Sequence, residues 1–175
     1  MIDNYTLTLS DLKSGAYTFT WGAGTEFFEA FENEQIRAAE LEIRGRAQKT
    51  ASSVLIDLEI DGFLTVPCDR CLEDVQMPVD TAVSLKVRFG QPSAEDADEE
   101  DGRELILIAP GEGELDLSQV IYDYACLSLP IQCRHREGGC NPEASKFLKP
   151  SKATSVTPDP ADSPFAALKG LFDNK

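Results

Sequence analysis

The chain has 175 residues, 42% of them hydrophobic, enough for one domain that buries roughly two-thirds of its unfolded surface. Its 16 Lys and Arg stand against 31 Asp and Glu, a net charge of −15. That is the wrong sign for a protein that coats nucleic acid, because phosphate contacts draw their affinity from cations. No run approaches the roughly 18 apolar residues a membrane span needs, and MIDNYTLTLSDLKSG has no basic stretch leading into an apolar core, so the expected location is the cytoplasm.

In chain order, YTLTL (5–9) and AYTFTW (16–21) read as strands, with Trp21 expected in the core. TEFFEAFEN then sets Phe27, Phe28 and Phe31 at helical spacing, which predicts a short helix packing its rings on a sheet. LEIRGRA (41–47) alternates Leu41 and Ile43 with Glu42 and Arg44, and the polar QKTASS turn leads to a longer alternation. There Val54, Ile56, Leu58, Ile60, Leu64 and Val66 take even positions, and Asp57, Glu59 and Asp61 take odd ones. Beyond the turn CDRC the parity reverses, with Val75, Met77, Val79, Val83, Leu85, Val87 and Phe89 all odd. A period of two on this scale predicts an antiparallel meander ending in a long hairpin, one face apolar and the other polar.

The segment 91–104, QPSAEDADEEDGRE, is too acidic and too poor in apolar groups to offset the entropy of ordering it. It is expected to be a flexible loop, or an acidic docking surface for a basic partner. ELILIA follows as a strand, and in LDLSQVIYDYACLSLP the pair Asp116 and Gln119 marks a helix start. Leu117, Val120, Ile121 and Tyr124 fall on one face of that helix, and Cys126, within it, is expected to be a packing residue. These elements predict an α+β fold in residues 1–150: an antiparallel sheet with long hairpins, curved or partly closed as a barrel, packed by a few short helices.

Residues 151–175 read as a flexible tail, a Pro/Ser/Thr/Asp linker ending in SPFAALKGLFDNK. Ser163 suits an N-cap and Pro164 the first helical turn, while Phe165, Leu168, Leu171 and Phe172 share one face. Gly170 weakens such a helix by roughly 1 kcal/mol relative to Ala, so it is expected to form on contact, with its own domain or a partner. Charge also reverses locally. Residues 133–152 hold Arg134, Arg136, Lys146, Lys149 and Lys152 against Glu137 and Glu143, and this is where a phosphate backbone or a partner would be met.

Five cysteines in a reducing compartment suggest thiols or metal ligands. Two residues between Cys68 and Cys71 let both sulfurs face one cation, and Cys133 and Cys140, with Gly138 and Gly139 for the return, complete a tetrahedral structural zinc set. The lone histidine, His135, is a substitute ligand. Two other readings stand beside zinc: reduced thiols in turns, and a redox dithiol, although a redox pair needs a helix N-terminus where this motif is followed by a strand. One histidine, no GxxxxGK[ST] and no GxSxG leave no catalytic constellation, so the chain is expected not to be an enzyme and to have no small-molecule substrate.

VPCDRCLEDVQMPVD on a hairpin, an acidic insertion, LDLSQVIYDYACLSLP, a Cys-containing stretch and SPFAALKGL, in that order, resemble the bacterial YceD family of large ribosomal RNA subunit accumulation proteins. The resemblance covers the chain from about residue 35 onward, and matches the family's Cys pair at Cys68 and Cys71 and its terminal signature at Ser163, Pro164, Phe165 and Leu168. It implies a non-enzymatic cytoplasmic factor for synthesis, processing or stability of large-subunit ribosomal RNA, partnered by a ribosomal or ribosome-assembly protein, by that RNA, or by both. The alternative class is a zinc-stapled protein-interaction module unrelated to ribosomes.

Overall fold

The computed structural model describes residues 5–9, 12, 15–50, 53–90, 102–109 and 111–148. The chain divides into two units, the first running to Asn141 and the second starting at Pro142. The acidic segment up to residue 101, the linker, the terminal helix expected at Phe165, Leu168, Leu171 and Phe172, and Lys149 and Lys152 lie outside the described residues.

The alternating stretches form the strands they predict. β1 is Thr6–Thr8, β2 Ala16–Gly24, β3 Ala38–Lys49, β4 Ser53–Pro67, β5 Asp74–Phe89, β6 Glu104–Ile108 and β7 Glu114–Asp116. β2 to β6 build one open sheet in sequence order, and β1 pairs with β7 in a separate two-stranded ribbon. Pairing is antiparallel from β2 to β5, but β6 runs parallel to β5, a departure from the uniformly antiparallel sheet expected. A parallel neighbour needs a crossover rather than a tight turn, and residues 90–103 supply its length.

Register assigns the faces. Ile43, Ile60 and Thr81 share one rung, as do Ala47, Ile56 and Leu85, so the apolar set of each strand lands on one side. Ile43, Ile56, Ile60, Leu64 and Leu85 are wholly buried there. Each such side chain contributes roughly 1.5–3 kcal/mol when removed from water. Helix α1 (Thr25–Ala30) buries Phe27 and Phe28 against this core, and Phe31 stacks on Tyr122 at 4.3 Å. Tyr5 meets Trp21 and Phe27 edge-on and donates its hydroxyl to the Gly22 carbonyl at 2.8 Å. The short ribbon is thereby tied to the sheet.

Helix α2 (Ser118–Leu127) buries Ile121 and Ala125, with Leu117 buried at its N-cap. The expected capping pair does not form. Asp116 belongs to β7, opposite Thr6, and accepts from the Ser118 N–H, while Gln119 reaches forward to Asp123 at 2.9 Å. Helix α3 (Pro142–Leu148) belongs to the second unit. Among the described residues no helix is long and apolar enough to cross a membrane.

Candidate metal centre

The turn between β4 and β5 puts Cys68 at its base and Cys71 on its far side. The Cys68 N–H donates to the Glu73 carbonyl at 2.8 Å and the Leu72 N–H returns to the Cys68 carbonyl at 2.9 Å, closing a tight loop with Leu72 at φ 61. The segment after α2 folds back over this tip. Its anchor is reciprocal: the Asp69 N–H donates to the Cys133 carbonyl at 2.8 Å, and the Cys133 N–H donates to the Asp69 carboxylate at 2.7 Å. Gly138, at φ 81, then turns the chain so that Cys140 comes back toward Cys68. Asn141 donates to Glu73 at 2.6 Å.

The ligand atoms of Cys68, Cys71, His135 and Cys140 converge, all within 4.8 Å of one another. The sulfurs of Cys68 and Cys140 are 3.9 Å apart, and Cys71 Sγ lies 3.4 Å from His135 Nδ1. At 3.0 Å from the Asp74 carbonyl, His135 Nε2 must carry the proton, since a carbonyl only accepts. In the neutral imidazole Nδ1 then carries the lone pair, and it is the nitrogen turned toward the sulfurs. A backbone carbonyl fixing the far nitrogen of a ligating histidine is the usual outer support of a metal site.

Electrostatics fit the same purpose. Burial alone would raise the Cys68 thiol, but N–H groups of Arg70, His135 and Cys71 aimed at its sulfur hold it down to about 6. Burial and the neighbouring sulfurs of Cys71 and Cys68 push the Cys140 thiol up. Three sulfurs without a cation repel as thiolates, and one divalent ion removes that repulsion. The donor set fits zinc: three thiolates and one imidazole are a known structural combination.

Three of the four expected cysteines are thus brought together, and the fourth position is filled by His135. Cys133 is outside the group: its backbone is clamped by Asp69 and its thiol faces the Pro130 carbonyl at 3.6 Å. Burial, then the Asp69 carboxylate, raise that thiol. Cys126, whose thiol burial also raises, packs beside Asn33 and Tyr122. Of the expected basic contact residues, Arg134 and Arg136 are exposed around the ligands, and Lys146 on α3 pairs with Glu143 at 2.5 Å.

Residues 56–172 match the family described as large ribosomal RNA subunit accumulation protein YceD, a name that implies a role in accumulation of that RNA. No curated protein and no solved structure matches the chain. With the match spanning the hairpin, the Cys/His cluster, α2 and the terminal segment, the chain belongs to the YceD family.

Proposed function

We propose that the chain is a non-enzymatic cytoplasmic factor that supports accumulation of large-subunit ribosomal RNA by holding a basic ribosomal or ribosome-assembly protein, with a structural zinc ion stapling its hairpin tip. The family match over residues 56–172 carries the ribosomal part of this reading. The mechanism follows from charge. At −15 the protein repels a phosphate backbone and attracts cationic protein segments, so contact with RNA is indirect.

Four protein ligands fill a tetrahedral shell, with no open position for water or substrate, which is the arrangement of a structural rather than a catalytic zinc. Cys68, Cys71, His135 and Cys140 would hold the ion, which would neutralise the sulfurs and lock the segment after α2 to the hairpin. Metal analysis of the purified protein is expected to return one zinc per chain.

The exposure of Arg134 and Arg136 favours a second mechanism, direct RNA contact along the basic stretch that continues to Lys146, Lys149 and Lys152. Neutralising these residues would then flatten the salt dependence of RNA binding. The deciding experiment is the ratio of large- to small-subunit ribosomal RNA in cells depleted of the protein. A fall that the wild-type chain restores is expected. An unchanged ratio would leave a zinc-stapled interaction module unrelated to ribosomes.

A further inference from the structure

The outer face of the sheet carries an arrangement that sheet stability alone disfavours. Glu42, Asp61 and Asp80 stand directly opposite one another on β3, β4 and β5, and like charges facing across a ladder weaken it. Glu40 and Glu59 flank that rung on the same face. Against these carboxylates stands Arg44, which pairs with Asp61 and reaches Glu42 at 3.7 Å and Glu59 at 3.6 Å. Among the described residues Glu40 and Asp80 have no cationic partner.

A shallow depression of about 590 Å³ lies at this end of the face, lined by Glu40, Glu42, Asp61 and Phe63 together with Trp21, Gly22 and Gly62. Phe63 directly opposes Glu40 and leaves 51% of its surface in water. Gly62, at φ +144, is held where a Cβ would lie 2.1 Å from the Glu40 carbonyl oxygen, so the lining at that point is bare backbone. An exposed ring beside carboxylates short of cations suits one side chain above others. A guanidinium is planar, stacks on an aromatic face and donates to two carboxylates at once.

We propose that this depression receives an arginine side chain from a basic protein segment, the guanidinium lying on Phe63 and donating to Glu40 and Glu42. This rests on the reading above that the partner is a basic protein, and it locates the contact on the sheet rather than on the acidic segment 91–104. RNA is excluded by charge, and lysine, which cannot stack as a plane, is the poorer occupant.

The test measures fluorescence anisotropy of a labelled peptide of alternating arginine and glycine, against its lysine counterpart, with the full-length chain at about 50 mM and about 200 mM salt. The arginine peptide is expected to bind more tightly, about tenfold less so to the double variant Glu40→Gln and Glu42→Gln, and about threefold less so to Phe63→Ala. These side chains are exposed, and an unchanged melting temperature checks that the variants fold. Binding untouched by these variants, or lost instead on neutralising Glu95, Asp96, Asp98 and Glu99, would overturn the site.

Returning the same variants to depleted cells separates this inference from the function beneath it. Peptide binding lost while the ribosomal RNA ratio is restored upholds the site and removes its ribosomal role. Unchanged peptide binding overturns the site, whatever the ratio does.

Discussion

Cys68 is wholly buried, yet three backbone N–H groups are aimed at its sulfur and hold its thiol down to about 6, the setting of a ligand rather than of a packing residue. Replacing it by Ser should lower zinc affinity by more than about 100-fold, beyond what loss of an outer support costs, and His135→Ala should do the same. Cys133→Ser should leave zinc content at the wild-type value, as metal analysis of the three variants would report. The sequence could not separate Cys133 from His135, because two residues apart either can face the hairpin. The Asp69 clamp decides, by fixing the Cys133 backbone and leaving His135 to reach the sulfurs. Leu72 shows a different kind of residue effect: a left-handed conformation at φ 61 costs a side-chain-bearing residue roughly 1–2 kcal/mol. Leu72→Gly removes that term and should raise the denaturation midpoint, since the side chain is 71% exposed and little packing is lost.

Among the elements, β4 is the most constrained, paired with β5 from Ser53 to Pro67 and with β3 from Val54 to Thr65. Gly62→Ala should be strongly destabilising, by about 3 kcal/mol or more, because it forces an unfavourable φ and drives a Cβ into the Glu40 carbonyl. Urea unfolding would measure it. The start of β6 is tied across β5 by Arg103, which pairs with Asp57 at 2.8 Å while Ser84 donates to the same carboxylate. Burial would raise the Asp57 carboxyl, but Arg103 and Ser84 outweigh it and set it below its ordinary value. A depressed folded pKa stabilises above the unfolded value and fades as pH falls through the folded one. In Arg103→Ala the stability lost should therefore be full at neutral pH and vanish on the acid side of pH 3.8, with a size under about 1 kcal/mol for a pair this exposed. Alternation made the meander and hairpin legible residue by residue. It could not give the parallel sense of β6, because a buried apolar run looks alike in either direction and the crossover has no pattern of its own.

At the scale of the molecule, the sheet rests on apolar burial, whereas the proposed zinc would staple the Cys/His knuckle. Chelating the metal should leave amide protection in β3, β4 and β5 intact and abolish it from Leu129 to Asn141, as hydrogen exchange would show. Loss of protection across the sheet as well would make the ion part of the core. The separate β1 and β7 ribbon was not legible, since pairing between strands so far apart in the chain is decided by packing of Leu7 and Leu115 rather than by local pattern. Cys68 and Cys140 are 72 positions apart, so a bound ion closes a large ring of chain containing β5, β6, β7 and α2. Closing so long a ring in an unfolded polypeptide is entropically costly, so coordination of a zinc ion would be expected to follow formation of the sheet. A nascent chain that has not reached residue 140 carries an incomplete ligand set, so retention of a zinc ion would report, during synthesis, that the hairpin and the segment after α2 have both been made.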